Sequence, residues 1–154
     1  MKITKDYQGL TRAENGDYVL DGKLFSDENI EVELDDRLVV RGSVISKKSI
    51  KVQRTLIAGD GISAGRCISA GWGIEAGWGI NAGDGISAGW GISAGDGISA
   101  GTYIDCKNRI FAGTSVLHNS EDCEMDIICA ELRQGELCYG VLKITPTEND
   151  NEEE

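Results

Sequence analysis

Ile62-Ser63-Ala64-Gly65-Arg66-Cys67-Ile68-Ser69-Ala70-Gly71-Trp72-Gly73-Ile74-Glu75-Ala76-Gly77-Trp78-Gly79-Ile80 repeats one six-residue phrase. The phrase continues through Asn81-Ala82-Gly83-Asp84-Gly85-Ile86 and on to Gly101. Working outward, every sixth residue from Val32 to Val116 is aliphatic, which makes fifteen consecutive hexads. A fixed internal period decides the fold before any other reading. Six suits neither a 3.6-residue helix nor a seven-residue coiled coil. It suits a short strand plus a corner, repeated as one face of a β-solenoid.

Side chains alternate faces along a strand. Ile92 and Ala94 therefore point one way and Ser93 the other. The large first position and the small third position point inward, and the second position meets water. Position four is Gly throughout the pure stretch, and position six is Gly in most hexads. Of the 21 glycines, 15 lie between Gly59 and Gly113. Glycine at a fixed offset marks a corner that needs positive φ or a close backbone approach.

The outward fifth position tests the coil length. At a step of 18, Arg54, Trp72 and Trp90 stack, which allows a cation–π contact, and Arg66 lies beside Asp84. At a step of 12, Asp84 stacks on Asp96 and Arg54 on Arg66. Like charges directly opposite destabilise a sheet. The expected fold is all-β: a single-stranded, three-sided β-helix with 18-residue coils, its handedness undecided by sequence.

The flanks lack the period. Residues 1–31 read as an N-terminal cap over the first open edge, since a bare solenoid end invites polymerisation. Residues 32–119 form the solenoid. In residues 120–146, Asp126–Gln134 and Leu137–Thr145 read as two strands around Gln134-Gly135, a C-terminal hairpin. The tail 147–154 holds five acids and no base, a composition expected to be disordered.

The formal net charge is −11, and residues 121–154 carry eleven acids against two bases. The repeats are nearly neutral. Chain-wide acidity excludes direct nucleic-acid binding as an expectation, but favours a basic partner surface. No apolar run is long enough to span a bilayer, no signal peptide is legible, and a cytoplasmic setting is expected. Five cysteines without metal spacing read as reduced thiols. His118 is the one histidine, so no nucleophile–base set is visible, and neither catalysis, metal nor cofactor is expected. The Gly-x-Gly elements lack the lysine and following helix of a phosphate loop.

Two groups remain as candidate partner-binding residues. One is the acidic set Glu121, Asp122, Glu124, Asp126, Glu131 and Glu136. The other is Trp72, Trp78 and Trp90, all at the outward fifth position. These indoles either cover glycine backbone at their corners or anchor an interface.

The Gly-Ile-Ser-Ala-Gly-Asp-Gly-Ile rhythm over Val32–Val116 resembles the repeats of bactofilins and related polymer-forming solenoids. That resemblance implies a three-sided β-helix and end-to-end assembly, which the flanks here would block. Hexapeptide acyltransferases place their small residue two positions before the aliphatic one, whereas here it comes two after, and their catalytic histidine is missing. The Ala-Gly-Trp-Gly-Ile-Glu runs resemble those of small phage and mobile-element proteins. Acidic pentapeptide-repeat DNA mimics are similar in kind. Together these imply a small inhibitor of a nucleic-acid-binding protein, of the anti-CRISPR or anti-restriction sort. The alternative is a structural polymer or a phage tail or fibre piece. Leu137–Ile144 is expected to pair across a two-fold axis as a homodimer.

Overall fold

The computed structural model describes residues 1–113 and 126–145. Val116, His118 and the tail 147–154 lie outside the described residues, as do Cys123, Glu121, Asp122 and Glu124. In chain order the strands are β1 (Lys2–Ile3), β2 (Leu10–Arg12), β3 (Tyr18–Leu20), β4 (Leu24–Ser26), β5 (Ile30–Val32), β6 (Leu38–Val40), β7 (Val44–Ser46), β8 (Ile50–Val52), β9 (Leu56–Ala58) and β10 (Ile62–Ala64). They continue as β11 (Ile68–Ala70), β12 (Ile74–Ala76), β13 (Ile80–Ala82), β14 (Ile86–Ala88), β15 (Ile92–Ala94), β16 (Ile98–Ala100), β17 (Tyr103–Phe111), β18 (Asp126–Cys129), β19 (Glu131–Tyr139) and β20 (Val141–Ile144).

Every third strand stacks in parallel, so the chain winds through about six coils of a β-solenoid. Ile62 lies opposite Ile80 and Ile80 opposite Ile98, which makes each coil of the pure repeat 18 residues. The first face holds β3, β6, β9, β12 and β15; the second holds β4, β7, β10, β13, β16, β18 and β20. The third holds β1, β5, β8, β11 and β14. The long strand β17 bends from the third face to the first, and β19 follows it one coil above.

The two-residue alternation is visible in burial. Ile74 and Ala76 are buried, and Glu75 between them is exposed. Burying an isoleucine side chain stabilises by roughly 1.5–3 kcal/mol relative to leaving it in water. The third position is Ala from β9 to β16, whereas the early coils take Leu20, Val32, Val40 and Val52 there. Ser46 takes this position in an early coil and is satisfied there. Its hydroxyl donates to the Glu28 carbonyl at 2.8 Å and accepts from the Lys48 amide at 3.1 Å.

The fourth-position glycines answer the question left open by sequence. None of the repeat glycines from Gly42 to Gly101 has positive φ. What they need is space: a Cβ on Gly77 would lie 2.1 Å from the Gly59 carbonyl oxygen, and one on Gly89 would lie 2.0 Å from that of Gly71. The sixth position is looser. A Cβ on Gly79 would sit 3.3 Å from the Gly97 oxygen.

Two features of the flanks differ from the sequence expectation. First, the boundary expected at residue 31 falls inside β5. Ile30 faces Ile50 and Val32 faces Val52, so Val32 holds a third position, not a first. Tyr18 faces Leu38, a step of 20. Two extra residues between β5 and β6 shift the phase, and this places Val32 six residues before Leu38 by coincidence. A whole coil, β3 to β5, thus precedes the first legible hexad. Covering of the end falls to β1, parallel on β5, and to β2, antiparallel on β3.

Second, the expected C-terminal hairpin is instead more solenoid. The strand β18 runs parallel on β16, β20 parallel on β18, and β19 parallel on β17. Gln134-Gly135 lies inside β19, where the pairing slips register. Gly135 has φ +128°, and a Cβ there would meet Ile110 Cδ1 at 2.7 Å and Cys106 Sγ at 3.0 Å. The glycine signal therefore marks a tight bend over the core, not a reversal of chain direction.

Candidate interaction surfaces

Charge along the rod is sorted by coil. Residues 1–37 hold ten acids and five bases, residues 38–113 five acids and eight bases, and residues 126–145 three acids and two bases. Residues 114–125 and 146–154 together hold eight acids and no base. The described residues thus sum to −3 (−5, +3 and −1), and the other eight negative charges attach to the last coils. Gly113 donates to the Asp96 carbonyl, Asp126 opens β18, and Thr145 donates to the Cys129 carbonyl.

The early cations are paired with acids one coil away. Arg37 binds Asp17 at 2.7 Å, Arg41 binds Asp21 at 3.0 Å, Lys47 binds Asp27 at 2.6 Å, and Lys48 binds Glu28. Lys2 binds Glu33 at 2.9 Å and Lys5 binds Asp35 at 2.8 Å. Lys47 and Lys48, close in sequence to Lys51 and Arg54, are thereby offset. Hydrogen bonds from Lys5 and from the Tyr18 hydroxyl hold the Asp35 carboxyl down to about 2.

The described members of the acidic set are spread over two faces. Asp126 opens β18 on the second face and pairs with Lys143 on β20. Glu131 opens β19 and pairs with Arg133 at 3.1 Å. Glu136 lies in β19 directly above Arg109 of β17. Each of these three carboxylates has a base close by. Glu121, Asp122 and Glu124 lie outside the described residues.

The three tryptophans sit on two corners. At the corner from the third face to the first, the Trp72 amide bonds the Arg54 carbonyl at 3.1 Å, and the Trp90 amide bonds that of Trp72 at 2.8 Å. The Arg54 guanidinium lies 5.4 Å from the Trp72 ring centroid. This is the column that an 18-residue step requires. Trp78 belongs to the next corner, between Asp60 and Asp96. Trp72, Trp78 and Trp90 are 55%, 53% and 63% exposed. A ring that covers a glycine is that of Tyr103, which fills the space over Gly85, with Arg133 on its other side at 3.9 Å.

Beside the Arg54–Trp72–Trp90 corner runs a groove of about 540 Å³ along the first face. Arg37, Trp72, Glu75, Trp90, Arg109 and Phe111 line it. Sequence reading singled out the tryptophans but not Arg109 or Phe111. Their signal is the same 18-residue step: Arg109 lies one coil above Gly91, and Phe111 one coil above Ser93.

Cys106 and Cys129 are buried in the core, Cys67 is half-buried and Cys138 exposed. Burial pushes the Cys106 and Cys129 thiols up. Among the described residues no three His, Cys, Asp or Glu side chains gather in a way that would hold a metal ion. Among the described residues no helix is long and apolar enough to cross a membrane. Compared with protein-family models, with curated proteins and with solved structures, the chain matches none.

Proposed function

We propose that this chain is a non-enzymatic interaction protein of the cytoplasm. Its acidic C-terminal pole docks on a basic surface of a nucleic-acid-handling protein and keeps nucleic acid out. One observation carries the reading: eight of the eleven net negative charges belong to two segments joined to the last coils, while the rod between is close to neutral. A preorganised rod loses little conformational entropy on binding, and a concentrated acidic end steers association with a cationic partner. The likeness to small phage-type inhibitors points to a nuclease of a host defence system as the partner class. That likeness is one of kind, and fold alone does not carry function.

The test is capture of partners on the tagged chain, followed by competition with nucleic acid. The expected result is release of a nucleic-acid-binding protein by added nucleic acid and by salt, because exposed charge attraction is screened over about 10 Å at 0.1 M. Asp126 is held by Lys143, so the informative variant is E121S/D122S/E124S. It should slow association with an unchanged β signal in circular dichroism. Capture that neither nucleic acid nor this variant affects ends the reading.

A second reading, self-assembly, has its own observation. Among the described residues β20 is an edge strand of its sheet, with Val141 and Ile144 about half exposed, while Leu142 packs on the core. An uncovered apolar edge is a template for another strand. Two such edges paired about a two-fold axis give a closed dimer, whereas bactofilin-like stacking would give a fibre.

A further inference from the structure

Lys2, Lys5, Arg37, Arg41, Lys47 and Lys48 meet carboxylates on neighbouring strands or loops, and in the last coils Arg133 pairs within its own strand and Lys143 with Asp126 one coil away. Among the described residues Arg12, Lys23, Lys51, Arg54, Arg66, Lys107 and Arg109 make no ion pair, and three of them gather at one corner. These are Arg54, Lys107 and Arg109, the last with Glu136 beside it in register. They bracket the two stacked indoles: Arg54 lies directly below Trp72, and Lys107-Asn108-Arg109 crosses directly above Trp90.

The stack ends openly. Arg54 covers the lower indole, but the short Asn108 takes the place above Trp90, and among the described residues Trp90 is the most exposed of the large apolar side chains at 63%. The groove beside it joins Trp72 and Trp90 to Arg109 and Phe111. Tryptophan, arginine and phenylalanine are the residue types enriched at the centres of protein interfaces, and exposed aromatic clusters rimmed by polar groups mark such sites.

We propose that this corner is a docking surface for an acidic segment of a partner protein that carries apolar side chains between its carboxylates. The apolar side chains cover Trp90 and Phe111, and the carboxylates meet Arg54, Lys107 and Arg109. A nucleic-acid strand fits less well. Strong phosphate-driven binding draws on six to ten phosphate contacts as a rough guide, and only three cations stand here, with the Glu75 carboxylate on the groove floor. The proposal does not depend on the function proposed for the acidic segments.

The probe is a fluorescein-labelled synthetic peptide of alternating acidic and leucine or phenylalanine residues. Its lysine-for-acid counterpart and an oligo-dT of matched length serve as comparisons, all read by anisotropy on the full-length chain. The acidic peptide should bind, and its lysine counterpart should not. Trp90→Ala, and separately R54S/K107S/R109S, should each weaken binding by about tenfold or more, a difference of about 1.4 kcal/mol. Both variants change exposed corner positions, and circular dichroism verifies that they fold. E121S/D122S/E124S should leave this binding intact, which separates the surface from the acidic pole. Tighter binding of oligo-dT than of the peptide overturns the proposal in favour of a nucleic-acid strand. If replacing Glu148, Asp150, Glu152, Glu153 and Glu154 by Ser is needed before the peptide binds, the corner's occupant is the chain's own tail and the proposal also fails. Absence of peptide binding below about 1 mM, with or without that replacement, overturns it outright.

Discussion

Gly77 and Gly79 stand two residues apart at one corner, yet they meet different neighbours. A Cβ at Gly77 would press into the Gly59 carbonyl at 2.1 Å, and backbone cannot step aside as a side chain can. A Cβ at Gly79 would reach 3.3 Å from the Gly97 oxygen, a contact that a shift of a few tenths of an ångström relieves. Gly77→Ala should therefore destabilise by roughly 1–3 kcal/mol or more, as overpacking does in a close-packed interior. Gly79→Ala should cost clearly less. Paired thermal melts check this, and equal losses would mean that both positions are held by conformation and not by space. Positions four and six look alike in the repeat. Only the stacking of coils separates them, and the occupants of position six already hint at it: Thr55, Cys67 and Tyr103 are accepted there.

At the scale of the element, the coil from β3 to β5 is held by a ladder of ion pairs to the coil above. Asp17 with Arg37, Asp21 with Arg41, Asp27 with Lys47 and Glu28 with Lys48 are each 20 residues apart. That spacing was available in the sequence, but hidden behind an aliphatic period that happens to pass through Val32. Exposed pairs contribute little singly. The half-exposed Asp35 differs in that it accepts from both Lys5 and Tyr18, which ties β1 and β3 to the loop after β5. Its folded pKa of about 2 lies below the ordinary carboxylate value of 3.8. A depressed pKa contributes stability that is present above the unfolded value and is lost as pH falls through the folded one. Asp35→Asn should thus lower Tm at neutral pH, and the gap to wild type should close between pH 3.8 and about 2. A gap that stays constant over that window would show that the carboxylate charge is not what holds the loop.

For the whole molecule, charge sorts the two assembly readings. Residues 1–37 carry a net −5, offset in part by Arg41, Lys47 and Lys48 of the next coil, and residues 114–125 and 146–154 together carry −8. A two-fold dimer through β20 would bring two acidic poles near each other and should therefore tighten as salt rises. Binding to a basic partner should weaken over the same range, since screening acts on attraction and repulsion alike. Light scattering across a salt series checks the first, and fibres in micrographs would place self-assembly ahead of inhibition.

The sequence by itself determined the solenoid. Ile62, Ile68, Ile74 and their successors recur with no phase error, the inward third position is small in the pure repeat, and an 18-residue step avoids the Asp84–Asp96 and Arg54–Arg66 stacking that a 12-residue step would impose. That much is local and periodic, and period survives translation into structure. What only the tertiary structure decided lies where period fails. Two inserted residues hid the first coil, and Gln134-Gly135 imitates a hairpin turn although it lies inside one strand, β19, that stacks in parallel on β17. Whether a glycine marks a reversal or a tight bend depends on which strand lies underneath, and that is a non-local fact. The same holds for the candidate surfaces: Arg109 and Phe111 join Trp90 only because a coil of chain returns above it, at the spacing of one β-strand.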